Sequence, residues 1–332
     1  MRRIAFAFGV LAVALTITAI AGASSKDGSL SVVAYSTPKT VYGKIIQAWQ
    51  QTADGKGVSF TQSYAASTDQ ARAVAAGLKA DLVFLSTGDD VNILVDAGLV
   101  DKNWEKQSYH GIEADTVVVF AVRNGNPKHI KSWGDLVKPG VQVITPNPFS
   151  SGSAKWNILA AYGAQRRLGK TDKQAQAFVK QLFQHVVSQD TSGRNATNTF
   201  LAGKGDVLLT YESEALTSRA AGTDIKYVIP RQTMLIELPI AVLKNSSNKD
   251  LANTFIRFTK GQLAQDLFGQ YGWRPVNPTV AKKYASKYPT RPGIFRIDDK
   301  IFGGWRTVDK KWFSANGIMV GIERGIGGPT AG

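Results

Sequence analysis

The feature that most constrains this chain is a repeated pattern in which an apolar strand ends at small hydroxyl residues and a helix follows. It occurs first where the strand at 30–35 leads through Ser36 and Thr37 to Pro38, a residue typical of a helix start. The pattern recurs after the predicted strands at 58–64 and 141–144. Strands that alternate with helices predict an α/β fold with mostly parallel sheets and helices on both faces.

The chain is also predicted to form two lobes. A β-branched run at 116–122 precedes a Gly-Asn-Pro turn, after which the strand-helix pattern starts again. The long apolar run at 234–243 could carry the chain back. Two lobes joined by crossing strands would face each other across a cleft, where ligands bind in open α/β sheets. We therefore predict lobe I at 24–116 plus about 238–332, and lobe II at 117–237.

Residues 1–23 have the features of a signal peptide: a basic start at Arg2 and Arg3, an apolar run, and small residues at a cleavage site. We expect export and cleavage, so that the mature chain begins near residue 24. A membrane anchor is the alternative, but the segment that follows is polar. The chain has no cysteine, so neither a disulfide nor a lipid-anchoring cysteine is expected.

The chain is strongly basic, with 40 Lys and Arg against 25 Asp and Glu and a net charge of +15. Loss of the first 23 residues would lower this charge to +13, because they contain two arginines and no acid. The basic residues are scattered and aromatic residues do not interleave with them, so nucleic acid is not the expected partner. A solvated basic surface that raises the local concentration of anions is the better interpretation.

Four predicted strand-helix junctions share one chemical character, at 36–38, 66–68, 151–153 and 192–197. Each offers small residues, hydroxyl groups and backbone N–H donors at the start of a helix, where the helix dipole also favours a negative ligand. A single junction of this kind is more often an ordinary helix cap. Together they predict a site that holds one tetrahedral oxyanion by neutral hydrogen bonds.

An enzyme is the competing class of function. The histidines are isolated from one another, no Gly-x-Ser-x-Gly motif is present, and no cysteine could act as a nucleophile. We therefore predict neither catalysis nor a metal or other cofactor. A carboxylate-dependent metal hydrolase is the alternative that uses Asp81, Asp89 and Asp90, although Asp89 and Asp90 are more simply explained as caps of the next helix.

Several short runs carry a family resemblance, and they span nearly the whole mature chain. They lie at 125–128 with Trp133, 138–141, 144–148, 196–200, 206–209, 274–275 and 302–305. In their order and residue types they resemble the periplasmic sulfate-binding proteins of ABC transporters, which are close relatives of thiosulfate-binding proteins. The resemblance implies a monomeric periplasmic protein with the two-lobed type II binding-protein fold, which closes on sulfate and delivers it to a membrane permease.

The resemblance also implies which residues bind the anion: Ser36, Ser67, Ser151, Gly152, Ser153, Gly193 and Tyr211. Ser36 replaces an aspartate that is common in relatives, a change that a backbone contact survives. Ser67 matches a serine that gives both a hydroxyl and a backbone donor. Ser153 adds a side chain to what is a Ser-Gly-Gly segment in the family. Arg194 matches an arginine that supports the site without touching the ligand.

Two positions leave the identity of the bound anion undecided. Tyr211 stands where relatives have a tryptophan whose indole N–H donates to sulfate, and a phenol is shorter and can also accept a hydrogen bond. Asp69 is predicted to be a carboxylate of the first helix turn that points to solvent. Its alternative role beside the site is to accept a hydrogen bond from a protonated anion. Thiosulfate, or another tetrahedral oxyanion such as phosphate, therefore remains the alternative to sulfate.

Overall fold

The structure is a computed structural model that describes residues 28–329, so the signal peptide predicted at 1–23 lies outside the described residues. The strands are β1 Ser29–Tyr35, β2 Ser59–Ala65, β3 Leu82–Phe84, β4 Ile112–Val122, β5 Val143–Pro146, β6 Val186–Asp190, β7 Val207–Tyr211, β8 Lys226–Val228, β9 Thr233–Val242, β10 Arg274–Pro275 and β11 Ile294–Phe295. The helices are α1 Lys39–Gln50, α2 Ser67–Ala75, α3 Gly88–Asp96, α4 Gly152–Arg167, α5 Asp172–Gln184, α6 Gly193–Leu201, α7 Glu212–Ala220, α8 Lys249–Thr259, α9 Gln262–Tyr271, α10 Pro278–Lys283, α11 Trp305–Val308 and α12 Ile318–Ile326.

The strands form one continuous mixed sheet in the order β2-β1-β3-β9-β4-β7-β5-β6. The two ends are parallel, since β1 pairs in parallel with β2 and β3, and β5 pairs in parallel with β6 and β7. In the middle, β4 and β9 pair antiparallel with each other. The prediction of α/β architecture is confirmed, but the parallel pairing holds for the outer strands and not for the centre.

The central strands are antiparallel because β4 carries the chain across the sheet and β9 brings it back. β4 pairs with β9 up to Val117 and with β7 from Val118 onwards, so one strand serves both halves. β9 in turn pairs with β3 from Ile240. The β-branched run of β4, which marked this crossing in the sequence, is buried from Thr116 to Val122.

Helix α4 is the most buried helix that leads into the cleft. Its residues are buried from Gly152 to Gln165, so it lacks the polar face of a surface helix. This burial fixes its first turn firmly between the two halves of the sheet. No helix within residues 28–329 is both long and apolar enough to cross a bilayer.

Candidate anion-binding site

A small pocket lies where the strand-helix junctions meet. It leaves only about 10 Å³ for the centre of a water-sized molecule and is lined by Tyr35, Ser36, Thr37, Ser67, Ser86, Ser151, Ser153, Gly193 and Tyr211. Pockets for drug-sized ligands are far larger, roughly 300–1,000 Å³, so this pocket has no room for a ligand of that size. Six of the seven predicted binding residues line it, and Gly152 lies between two of them in the chain. None of the lining residues is a lysine or an arginine.

The lining residues stand at the starts of helices. Ser67 is the first residue of α2 and Gly193 the first residue of α6, while Ser151 and Tyr211 directly precede α4 and α7. Backbone N–H groups in the first turn of a helix have no partner inside the helix, and the positive end of the helix dipole lies there. These helix starts therefore favour an anion in a pocket whose lining has no cationic side chain.

Six backbone N–H groups around the pocket lack a hydrogen-bond partner among residues 28–329: those of Ser36, Thr37, Ser67, Gly152, Ser153 and Gly193. The N–H of Ser151 differs from the prediction for its segment, because it donates to the carbonyl of Asn147 at 3.0 Å. Asn147 lies in the turn that leads into α4, and this turn uses that donor. Ser151 is thus left with its hydroxyl as the donor that it can offer to a ligand.

The hydroxyl of Ser67 is already engaged. It donates to Oδ2 of Asp90 at 2.6 Å and accepts the N–H of Ser86 at 2.8 Å. A hydroxyl has only one proton to donate. The resemblance implies that Ser67 donates both its hydroxyl and its backbone N–H to the anion. In this arrangement the hydroxyl proton goes to Asp90, so the backbone N–H is the donor that Ser67 can offer.

Asp90 organises this side of the pocket. Its fully buried carboxylate accepts the hydroxyls of both Ser67 and Thr68, with the latter at 2.7 Å. It does not cap α3 as predicted, since the cap is Thr87, whose side chain accepts the N–H of Asp90 at 3.0 Å. The carboxylate of Asp90 thus fixes the start of α2 by holding the side chains of Ser67 and Thr68.

Lys155 balances the buried negative charge beneath the pocket. It forms ion pairs with Asp89 and, at 3.5 Å, with Asp90, and its side chain is 5% exposed. Burial opposes the charge of Lys155, but the two carboxylates outweigh that effect and hold its pKa above the usual value. Burial raises the pKa of Asp89, while Lys155 acts in the opposite direction.

Tyr211 and Ser86 form a hydroxyl pair in the wall of the pocket, with their oxygens 2.5 Å apart. One hydroxyl must donate to the other, so the pair keeps one proton for a ligand. Burial raises the pKa of Tyr211 well above its usual range, so the phenol stays protonated at neutral pH. A second contact holds Ser86 in place, because the indole N–H of Trp156 donates to its carbonyl at 2.7 Å.

Arg194 lies beside the pocket and outside its lining. Its guanidinium pairs with the buried Glu214 at 3.0 Å and donates to the carbonyl of Thr37 at 3.3 Å, while its backbone N–H donates to Oγ of Ser36. Burial raises the pKa of Glu214 to about 7, and Arg194 counteracts this shift. These contacts join α6 to the junction after β1.

Asp69 does not reach the pocket. Its side chain is 50% exposed and lies 3.8 Å from Arg72 one helix turn away. It faces a separate groove that also includes Lys39 and Arg194. This placement fits the predicted carboxylate of the first helix turn, and Asp69 is not among the residues that line the pocket.

Two lining residues, Tyr35 and Ser86, lie outside the predicted junctions, and Thr37 belongs to the predicted junction at 36–38 but was not assigned to the ligand. Ser86 had a usable signal, because Ser86 and Thr87 follow β3 and precede α3 in the same way that Ser36 and Thr37 follow β1. Tyr35 had none, since the last residue of a buried strand is most simply a core residue.

The carboxylates of the metal-hydrolase alternative are engaged in separate contacts. Asp81 accepts the N–H of Ser31 at 2.8 Å and the hydroxyl of Ser246 at 2.6 Å, whereas Asp89 and Asp90 pair with Lys155. Among residues 28–329, no group of three or more His, Cys, Asp or Glu side chains is placed to hold a metal ion.

Comparison with known proteins shows which family this chain belongs to. Residues 30–274 match the family described as "Bacterial extracellular solute-binding protein". The chain is 36% identical over 313 residues to the sulfate-binding protein of Salmonella typhimurium, which covers 90% of this chain and 94% of that relative. It is 37% identical over 285 residues to the thiosulfate-binding protein of Escherichia coli, with 82% and 83% covered.

A solved structure agrees with these matches. The sulfate-binding protein SubI from Mycobacterium tuberculosis H37Rv superimposes with a TM-score of 0.83 at 43% identity, over 86% of this chain and 100% of that one. The two-lobed type II fold of periplasmic binding proteins is thereby confirmed. The chain belongs to the bacterial extracellular solute-binding proteins, in the group that includes sulfate-binding and thiosulfate-binding proteins.

Proposed function

We propose that this protein captures sulfate in the periplasm and delivers it to an ABC permease. The observation that carries the proposal is the set of six backbone N–H groups, unpartnered among residues 28–329, around a pocket whose lining has no cationic side chain. Sulfate at neutral pH is a dianion with no proton to donate, so a site made of donors satisfies it. The names of the relatives support this ligand.

The proposed division into lobes puts the pocket between them. Lobe I comprises 24–116 with about 238–332, and lobe II comprises 117–237. The switch of β4 from β9 to β7 after Val117 supports the first boundary, and the pairing of β9 with β3 from Ile240 supports the second. We propose that the mature protein, from about residue 24, acts as a monomer that closes these lobes on the anion.

Calorimetry tests the proposed ligand directly. The mature protein, treated with a chelator, should bind sulfate with one site per chain, because the donors belong to the protein and need no metal. Thiosulfate and phosphate should be titrated in parallel. Absence of heat with sulfate, together with saturable binding of another oxyanion, would reject sulfate as the ligand.

Thiosulfate is the second candidate, because a relative with that name is 37% identical to this chain. Replacement of one oxygen by sulfur enlarges the anion, and the space available depends on Tyr211 and Ser86. The same titration ranks the two ions by their Kd values.

Tyr211→Phe should weaken sulfate binding about ten- to a hundredfold, because loss of a donor to a buried charge costs about 1.5 to 3 kcal/mol. Tyr211→Trp should retain part of the affinity through its indole N–H. Tyr42→Phe is the matched control, since its buried hydroxyl donates to Glu113 at 2.8 Å and does not line the pocket. Equal affinity in Tyr211→Phe and wild type would reduce Tyr211 to a packing residue.

Asp69→Asn should leave sulfate affinity unchanged from about pH 5 to 8, a range above the reference Asp pKa of about 3.9. Partial burial raises the pKa of Asp69, against the effect of Arg72, yet the group titrates outside the pocket. Phosphate should compete poorly throughout, since its remaining proton would meet a donor. Strong phosphate binding that this substitution abolishes would make Asp69 the specificity residue and overturn the sulfate assignment.

A further inference from the structure

Two hydroxyls at the end of β1 lack acceptors for their protons. Thr37 is 2% exposed, and its Oγ1 is buried without a hydrogen-bond partner among residues 28–329. Tyr35 is 3% exposed, and its hydroxyl accepts the indole N–H of Trp273 at 3.2 Å. That contact uses a lone pair of the phenol, and no hydrogen bond from its proton is present among residues 28–329, although the Thr37 hydroxyl is a close neighbour. Both side chains line the pocket.

An unpartnered buried hydroxyl is costly, so a protein that retains one needs a reason for it. The contacts of the neighbouring polar groups do not provide this reason for Thr37. The carbonyl of Thr37 accepts from Arg194, and Oγ of Ser36 accepts the N–H of Arg194, but neither contact involves Thr37 Oγ1. The Thr37 methyl group faces Gly193, which belongs to the proposed lobe II. A Cβ built on Gly193 would lie 3.7 Å from this methyl group.

The titration behaviour of Tyr35 agrees with a donor role. Burial raises the pKa of Tyr35 well above its usual value, while the neighbouring Trp273 and Thr37 act in the opposite direction. The phenol therefore remains protonated throughout the neutral range. Its ring is also held rigidly, at 5.1 Å and 72° from the ring of Phe84.

We propose that Thr37 and Tyr35 form a hydroxyl arm that donates side-chain hydrogen bonds to the bound oxyanion from lobe I. The proposal rests on the proposed function and adds two donors to the residues assigned to that site. It also gives lobe I side-chain donors to replace the hydroxyl of Ser67, whose proton goes to Asp90. The ligand class is a fully deprotonated tetrahedral oxyanion, which can accept from both lobes at once.

Thr37→Val tests the arm, because valine has the shape of threonine without its hydroxyl. We expect sulfate affinity, measured by calorimetry, to fall about ten- to a hundredfold. Thr37→Ser keeps the hydroxyl and should remain within about threefold of wild type. Tyr35→Phe should weaken binding in the same direction as Thr37→Val.

The stability of the ligand-free protein provides a second readout with the opposite sign. Thr37→Val should leave the urea midpoint unchanged or raise it, because an unsatisfied buried hydroxyl is replaced by an apolar group. Thr217→Val is the matched control: this buried threonine donates to Ser213 at 2.8 Å away from the pocket, so its loss should affect stability and spare affinity.

Two results would overturn the arm: wild-type affinity in Thr37→Val, or a loss in Thr37→Ser as large as in Thr37→Val. Failure of the proposed function gives a different result, in which the wild-type protein does not bind sulfate. If thiosulfate or phosphate binds instead, the same variants measured with that ion decide the role of Thr37. If none of the three binds, the arm is rejected together with the proposed function.

Discussion

Lys155→Met should lower the free energy of unfolding by about 3–5 kcal/mol, the cost of removing one partner from a buried ion pair. Lys155 is the cation that contacts both Asp89 and Asp90, and all three side chains are less than 10% exposed. Without it, two carboxylates stay buried next to each other. Urea denaturation of the ligand-free protein measures the effect.

Lys226→Met is the matched control for that experiment. Lys226 pairs with Asp224 at 2.6 Å, but both side chains are about half exposed, at 49% and 60%. Exposed pairs contribute between zero and about 1 kcal/mol, so this variant should stay close to wild type. The double variant Lys155→Met with Asp89→Asn should recover part of the loss, because one uncompensated charge is removed. Equal midpoints for Lys155→Met and Lys226→Met would show that the buried pair contributes no more than an exposed one.

Gly152→Ala should weaken sulfate binding about ten- to a hundredfold, because N–H donors that are moved away from the buried anion cost about 1.5 to 3 kcal/mol of binding free energy. A Cβ at this position would lie 2.8 Å from Cβ of Ser86 and 2.9 Å from Oδ2 of Asp90. Ser86 and Asp90 are buried and hydrogen-bonded and cannot easily move away, so the start of α4 must move. The N–H groups of Gly152 and Ser153 would then point away from the anion.

Gly43→Ala separates this effect from a general effect of alanine in a helix. Gly43 lies inside α1, and a Cβ built there meets no atom within 4 Å. Alanine at such a site should be neutral or stabilising, with unchanged affinity for sulfate. Calorimetry on both variants decides: if Gly152→Ala binds sulfate as tightly as Gly43→Ala does, the backbone of Gly152 is not part of the site.

The sequence predicted those parts of the site that depend on local pattern. The junctions that contain Ser36, Ser67 and Gly193 were predicted because a strand followed by small residues and a helix marks a helix N-terminus without knowledge of the fold. The family resemblance then implied these residues within them. The engagement of Ser67 with Asp90 could not be predicted in this way, since 23 residues separate them. The same reason applies to the pair of Ser86 and Tyr211, which are 125 residues apart.

The direction of the central strands also depends on long-range contacts and could not be predicted from local sequence. The apolar runs located β4 and β9, but a run buried on both faces looks alike whether its neighbours are parallel or antiparallel. Strand direction depends on which half of the sheet each end of β4 joins, and that is set by long-range pairing. The lobe boundaries drawn from the sequence remain predictions, to which this pairing now gives a structural basis.

Trp156 has a practical consequence for the study of closure. Its indole donates from α4 to the carbonyl of Ser86, and its ring lies 4.6 Å from that of Trp305 at 79°. In the proposed division, Ser86 and Trp305 belong to lobe I and Trp156 to lobe II. Separation of the lobes would therefore expose this indole to water and take away both of its neighbours. If the lobes close as proposed, we expect the emission of Trp156 to differ between the open and closed states, so that closure can be timed without an attached dye.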